Sequence, residues 1–356
     1  MNAKAQNRND PWLHRFAVLT AVITFLLLGI GGLVTSHEAG MSVPDWPTSY
    51  GYNMFALPIK FWKGGAFFEH SHRLLASGAG LLTTILAVWI WLKDSRKWMK
   101  WLGVIAFLLV VAQGVLGGLR VTLKMDNLGV IHGVVAQSFF ILMCAIALFT
   151  SRFWGKWSAG EKTFCVPRGL RTLALATTVL VFCQLVLGAT MRGQHAGLAI
   201  PDFPMAYGKI WPDTSADAVA RYNAVRMDVI SENPIKTFGI ILQMVHRIVA
   251  LAIFVLVAAG VWRSWRRLGG KNLLTKLAIF WLALIICQIA LGAWTIWSNK
   301  AADVATLHVL VGALSLVTGA LWCIIAFRRP MSLPEIVPAT TISGVFGTPP
   351  AMVANK

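Results

Sequence analysis

Four histidines recur as two pairs whose residue type and spacing suit the binding of haem iron. His72 opens the string HRLLA and His246 opens HRIVA 174 residues later, while His132 and His308 are 176 residues apart. An apolar stretch of helix-forming length follows each histidine, so each half of the chain supplies two imidazoles from two helices. Two imidazoles on opposite faces of one porphyrin are a known axial ligand set. The pattern predicts that His72 pairs with His132 and His246 with His308.

Two other interpretations of these histidines stay open at the level of sequence. For any single one, the alternative is an interfacial histidine that makes an ordinary hydrogen bond. Zinc is the competing metal, but structural zinc takes four ligands that usually include cysteine, and neither half offers such a set. The five cysteines form no CxxC motif and are interpreted as small apolar packing residues. They are Cys144, Cys165, Cys183, Cys287 and Cys323.

A carboxylate distinguishes the first half of the chain from the second. Glu69 precedes His72 by three residues in EHSHR, whereas Gln243 takes that place before His246 in QMVHR. A spacing of three puts Glu69 on the same helix face as His72, where it is suited to proton transfer. The alternative is a carboxylate that caps the helix or pairs with Arg73. The asymmetry suggests that one half performs chemistry and the other holds a redox cofactor.

Four arginines lie next to the paired histidines or at the outer ends of apolar spans. Guanidinium groups there could bind haem propionates in a bidentate manner. The alternative is that these side chains extend to the membrane interface. They are Arg73, Arg120, Arg192 and Arg247. His70, one residue nearer to His72 than Glu69, is expected to lie at the surface.

The elements that position these residues are membrane helices. Of the 356 residues, 57% are hydrophobic and 13% charged, and the mean hydropathy is +0.66, which is far from the composition of a soluble domain. Apolar blocks that can cross the hydrocarbon must be helical, because lipid offers no hydrogen bonds to the backbone. The fold class predicted is therefore all-α and integral to the membrane. The eight predicted spans are Phe16–Val34, His72–Leu92, Trp101–Leu119, Leu128–Phe149, Thr172–Met191, Gly239–Trp262, Leu274–Trp297 and Val304–Phe327.

The formal charge of +18 follows membrane topology and gives no case for nucleic acid. Sorting the loops alternately puts 20 of the 32 Lys and Arg, but only 4 of the 14 Asp and Glu, on the side of the two termini. The positive-inside rule makes that side cytoplasmic, so the paired histidines lie toward the exterior. No small-residue cleavage site follows the first span, which predicts a retained signal anchor. We expect a multi-pass protein of a bacterial-type inner membrane.

The two halves of the chain resemble each other. GMSVPDWPTSYG at 40–51 corresponds to GLAIPDFPMAYG at 197–208, and QGVLGG from Gln113 corresponds to QIALGA from Gln288. Matches that keep their order predict two tandem, pseudo-symmetric four-helix bundles in parallel orientation. Each Pro-Asp-aromatic-Pro segment is interpreted as a rigid turn that covers a bundle or forms part of its pocket.

The predicted division of the chain has five parts. They are a cytoplasmic N-terminus (1–15), a first repeat (16–150), a cytoplasmic linker (151–171), a second repeat (172–327) and a disordered cytoplasmic tail (328–356).

The EHSHR string, the paired PDWP and PDFP segments and the four histidines together resemble the haem A synthase family over roughly residues 16 to 327. The resemblance implies an oxidoreductase that converts the C8 methyl of haem O to the formyl group of haem A, through two two-electron steps and a gem-diol. It implies that His72 and His132 ligate the substrate, that Glu69 is the catalytic carboxylate, and that His246 and His308 ligate a resident haem b. Some members carry a cysteine pair in the first exterior loop, and this chain has none between 42 and 50.

The expected partners are haem O and the lipid bilayer, with haem O synthase and the oxidase assembly machinery as further candidates; a homo-oligomer is compatible with the sequence. Two rival functions stay open at the level of sequence. A di-haem b-type membrane cytochrome needs the same four histidines but not Glu69. A transporter needs ionisable residues near the centres of the spans, and the sequence has essentially none.

Overall fold

The computed structural model describes residues 10–158, 166–225 and 234–328, and within these ranges the regular structure is helical. Eight helices are long and apolar enough to cross a membrane. This confirms the predicted all-α membrane class. The eight are α1 (Pro11–Ser36), α2 (Gly64–Lys93), α3 (Lys97–Leu123), α4 (Asp126–Thr150), α6 (Arg168–Gly193), α8 (Thr237–Leu268), α9 (Leu273–Trp297) and α10 (Ala302–Phe327).

Every predicted span lies inside one of these helices, but the helices begin earlier than predicted. The largest difference is in α2, which starts at Gly64, eight residues before His72. The residues from Ala66 to Ser71 contain no proline and no glycine, so the helix extends beyond the apolar block. Glu69 and His72 therefore lie in one continuous helix, as their proposed shared face requires.

The membrane helices form two rings. In the first, α1 contacts α2 and α4, and α3 contacts the same two neighbours. In the second, α6 contacts α8 and α10, and α9 contacts the same two. The rings meet where α1 and α4 pack against α10 and α6, so α2, α3, α8 and α9 lie away from this junction. That an axis along the membrane normal relates the rings stays a prediction.

Two short helices lie outside the membrane spans. The first, α5 (Arg152–Ser158), falls in the predicted cytoplasmic linker. The second, α7 (Ala216–Ala224), lies in the long loop after α6, where the Ser215 hydroxyl accepts a hydrogen bond from the Ala218 N–H. Tyr222 of α7 stacks on Tyr207 with ring centroids 3.5 Å apart. Helix α7 thus packs on the segment 197–208.

The cysteines within the described ranges are all free thiols. Cys323 is buried, Cys144 is partly buried, and Cys183 and Cys287 are exposed on the helix surface. Cys165, the predicted N-terminal segment up to residue 9 and the predicted tail from 329 lie outside the described residues.

Candidate haem sites

Each of the four paired histidines lies against a glycine of the preceding membrane helix. A Cβ atom added to any of these glycines would lie only 3.0 to 3.4 Å from Cε1 of the imidazole. Because only glycine permits so close an approach, the position of each ring is set by packing. The pairs are Gly31 and His72, Gly117 and His132, Gly188 and His246, and Gly292 and His308.

None of the four imidazoles makes a hydrogen bond within the described part of the chain. Their Nδ1 atoms are buried without a partner, while their Nε2 atoms are not enclosed. The carbonyls of Gln113 and Gln288 approach the rings of His132 and His308 but do not reach hydrogen-bond geometry. The ordinary alternative, a hydrogen-bonded interfacial histidine, does not describe these residues. Each Nε2 remains free to act as a ligand.

The imidazoles come together in the predicted pairs. His72 and His132 lie within electrostatic range of each other, and so do His246 and His308. The two helices of each pair stand diagonally across a ring, since α2 and α4 are both neighbours of α1 and α3, and α8 and α10 of α6 and α9. Two imidazoles carried by diagonal helices of a four-helix ring are suited to bind the two faces of a porphyrin between them.

The donor set favours haem over zinc. No group of three or more His, Cys, Asp or Glu side chains lies together in the ranges that the structure describes. A structural zinc ion would need four such ligands, whereas a bis-histidine haem needs two. The residues present therefore fit a haem in each ring.

Two glutamines hold the helix turns that carry His132 and His246. Gln113 Nε2 donates to the His132 carbonyl at 3.2 Å, and Gln184 Nε2 donates to the His246 carbonyl at 2.8 Å. Each bond ties the helix turn that carries a histidine to a neighbouring helix. A side chain of a neighbouring helix thus helps to hold the backbone at these two histidines in place.

The segments 40–51 and 197–208, here called the first and second outer segments, fold into the same turn. In the first, Asp45 accepts hydrogen bonds from the N–H groups of Tyr50 at 2.6 Å and Gly51 at 2.8 Å. In the second, Asp202 accepts from the N–H groups of Tyr207 and Gly208 at 2.7 and 2.9 Å. These bonds close each segment into a rigid turn, as the Pro-Asp-aromatic-Pro pattern predicts.

The arginines that directly follow His72 and His246 each bind an outer segment. Arg73 donates to the carbonyls of Asp45 at 2.6 Å, Thr48 at 3.1 Å and Val43 at 3.1 Å. Arg247 donates to the carbonyls of Asp202 at 2.8 Å and Met205 at 2.9 Å in the same manner. Both guanidinium groups thus bind backbone carbonyls of the outer segments, and their predicted contact with propionates stays a prediction.

Glu69 and Gln243 occupy equivalent places and differ in charge. The Glu69 carboxylate is 4% exposed, accepts a hydrogen bond from the Val43 N–H at 2.9 Å and forms an ion pair with Arg73 at 2.7 Å. The Gln243 side chain accepts from the Ile200 N–H at 2.8 Å and donates to the Ile200 carbonyl at 3.3 Å. The pairing of Glu69 with Arg73, one of the two interpretations of the sequence, is therefore present. The second half has a neutral amide where the first has an anion.

The other two arginines lie in the last turns of α3 and α6. Arg120 packs against Gly40 and Gly129, with Nε buried and unpaired, and lies 3.9 Å from the exposed Asp126. Its guanidinium is within electrostatic range of His72 and His132. Arg192 donates to neighbours on α1. Of the four candidates for propionate binding, Arg120 is the one with no hydrogen bond among the described residues.

The expectation that His70 lies at the surface is wrong. Its side chain is 1% exposed, with Nδ1 3.5 Å from the Ser49 hydroxyl and the ring edge-on to Trp62. The position of His70 on α2 turns its side chain away from the face of Glu69 and His72, but the loop between α1 and α2 covers that side of the helix as well.

The glycines behind the imidazoles were not singled out as ring contacts from the sequence. Their signal was available, since Gly31 and Gly188 keep the 157-residue offset of the outer segments, and Gly117 and Gly292 keep the 175-residue offset of the glutamines. Glycine is so frequent in membrane helices that position alone did not separate these four from ordinary packing.

The fold and the site define a polytopic helical membrane protein with two rings of helices, each holding a pair of histidines whose imidazoles have no hydrogen bond among the described residues. The chain matches the COX15-CtaA family, described as cytochrome oxidase assembly protein, over residues 14–320. It belongs to that family.

Similar proteins cover almost the whole chain. It is 25% identical to a haem A synthase of Halalkalibacterium halodurans over 86% of this chain and 95% of the relative. It is 26% identical to a haem A synthase of Shewanella oneidensis over 86% and 93%, respectively. It is 24% identical to a haem A synthase of Rickettsia prowazekii over 91% and 99%.

Proposed function

We propose that this protein is a haem A synthase, an integral-membrane oxidoreductase that oxidises the C8 methyl of haem O to the formyl group of haem A. The observation that carries the proposal is the pair of unbonded imidazoles in each ring, every one of them resting on a glycine. Membership of the cytochrome oxidase assembly family and the names of the relatives support the same activity.

The substrate belongs in the first ring, with His72 and His132 as its axial ligands. Glu69 supports this assignment. Gln243 accepts from the equivalent N–H group in the second ring, but an amide cannot exchange a proton as a carboxylate does. The second ring would hold haem b between His246 and His308. Such a haem would supply one-electron redox chemistry.

The space beside the ligands also differs between the rings. In the second, a cavity of about 780 Å³ lies between α8 and α9, and Phe254 and Ile289 are among its lining residues. The repeat offsets place Gly80 and Gly114 at these positions in the first ring, and a Cβ atom on either would meet nothing within 4 Å. The first ring thus lacks these two bulky side chains, and the open space at Gly80 and Gly114 is where we place the substituents of the substrate.

Glu69 would accept a proton during oxidation of the methyl carbon or loss of water from the diol. Its ion pair with Arg73 and its bond to the Val43 N–H hold the carboxylate in one place at the outer end of α2. Both partners belong to the contacts that hold the first outer segment. The same contacts therefore position the carboxylate and keep the segment over the ring, which limits access of water.

The test is Glu69→Gln, which gives the first ring the residue of the second. Because Gln243 bonds to Ile200 as Glu69 bonds to Val43, we expect this variant to fold and bind haem O but to make little haem A. Gln243→Glu is the matched control and should retain activity. If Glu69→Gln makes haem A at the parental rate, the catalytic role of Glu69 is wrong.

A di-haem b-type cytochrome is the second candidate, favoured by the likeness of the two histidine sites. Mass analysis of the extracted haem separates the two functions. A carrier would hold haem b alone in both rings, whereas the synthase would yield haem O, haem A or a hydroxylated intermediate when it is produced with haem O.

The proposed location is a bacterial-type inner membrane with both termini in the cytoplasm and both haem sites toward the exterior. It rests on the excess of Lys and Arg on the side of the termini. Contact with haem O synthase and with the oxidase assembly machinery is proposed from the substrate and the family name.

A further inference from the structure

Arg192 of α6 reaches across the junction of the rings to α1. Its Nη2 donates to the Gly32 carbonyl at 2.6 Å and to the Ser36 hydroxyl at 2.6 Å. These short bonds fix the guanidinium group on the first ring although its backbone belongs to the second.

The contact extends to the helix that carries His308. The Ser36 hydroxyl lies 3.2 Å from the Thr306 hydroxyl, and Thr306 precedes His308 by two residues on α10, a rise of about 3 Å. A Cβ atom on Gly32 would lie 2.8 Å from the Thr306 methyl, so α1 and α10 touch here. The guanidinium group is within electrostatic range of His308.

The charge of Arg192 has no ionic partner in the part of the chain that the structure describes. The charged groups within electrostatic range of it are Arg120 and Lys300, both cations, and Glu38 interacts with Lys300. The pKa of Lys300 is lowered, mainly by burial and also by Arg192, although Glu38 opposes the shift. A partly buried, uncompensated cation at a membrane helix end is costly and is usually retained for function.

We infer that Arg192 raises the reduction potential of the haem held by His246 and His308. The inference rests on the proposed function, which places that haem in the second ring. Reduction of the iron removes one positive charge, so a fixed cation nearby favours the reduced form. The hydrogen bonds to α1 hold the cation at this distance.

The test is a spectroelectrochemical titration of the full-length protein purified with haem b. Arg192→Gln removes the charge and should lower the midpoint potential, whereas Arg192→Lys keeps the charge and should stay near the parental value. Arg15→Gln makes the same charge change at the cytoplasmic end of α1 and should leave the potential unchanged.

A second pair of variants keeps the arginine in place. Ser36→Asp sets a carboxylate against the guanidinium and should lower the potential as Arg192→Gln does, while Ser36→Asn, of similar size, should not. Parental potentials in both Arg192→Gln and Ser36→Asp would overturn the inference and leave the proposed function standing. A parental protein without haem b would instead contradict the proposed cofactor.

Discussion

The carboxylate of Glu69 and the backbone N–H of Val43 lie 2.9 Å apart, and this bond ties the first outer segment to α2. Arg73 connects the same two residues a second time, because its Nη2 donates both to Glu69 and to the Val43 carbonyl. The candidate catalytic residue is therefore also a structural one. Its two roles have to be separated by choosing variants that remove the charge or the hydrogen bond.

Replacement of Glu69 by alanine should destabilise the protein far more than replacement by glutamine. Both variants remove the anion that pairs with the buried Arg73, but alanine also removes the side-chain oxygens that accept from Arg73 and from the Val43 N–H, which we expect to cost about 3 kcal/mol. Glutamine keeps an acceptor for Val43. Thermal unfolding of the haem-free protein in detergent measures the difference, and equal midpoints for the two variants would contradict the structural role.

A methyl group added at Gly292, beside His308, should weaken haem binding in the second ring alone. Gly292→Ala would place a Cβ atom 3.3 Å from Cε1 of His308, so the ring must shift by a few tenths of an ångström. We expect reduced haem b content and a changed Soret band in the second ring. Gly133→Ala, where the new Cβ meets nothing within 4 Å, is the control, and a loss of haem there as well would show a general packing effect.

The turn of the first outer segment should loosen in acid. Burial alone would raise the pKa of Asp45, but hydrogen bonds from Thr48, Gly51 and Tyr50 outweigh it and hold the pKa below its ordinary value of 3.8. A depressed pKa means that these bonds stabilise the turn above pH 3.8 and are lost as the pH falls through the lower, folded-state value. Hydrogen-exchange protection of the Tyr50 and Gly51 amides, corrected for intrinsic rates, should fall in that range. In Asp45→Asn the protection should be lower and independent of pH.

The sequence predicted the membrane helices and the correspondence of the histidines between the two halves because both follow from strong patterns in the chain. Long apolar blocks leave helix as the single option, and the repeat offsets connect His72 to His246 without any knowledge of the fold. What the sequence could not supply was the direction of single side chains. From the sequence, Arg73 could bind a propionate or a backbone carbonyl. The fold of the first outer segment brings the Asp45 and Val43 carbonyls to its guanidinium group, and no local pattern predicts that fold. His70 was misplaced for the same reason.

Filling the open space of the first ring should exclude the substrate and spare the cofactor. Gly114→Ile introduces the residue that the second ring has at Ile289, and the space at Gly114 is open, so the variant should fold. We expect roughly tenfold weaker binding of haem O, equivalent to about 1.4 kcal/mol, with unchanged haem b in the second ring. Absorbance titration of the purified protein with haem O measures the affinity, and Ile289→Gly is the reciprocal control. If Gly114→Ile binds haem O as tightly as the parent, the space between α2 and α3 does not hold the substrate, and the assignment to the first ring then rests on Glu69 alone.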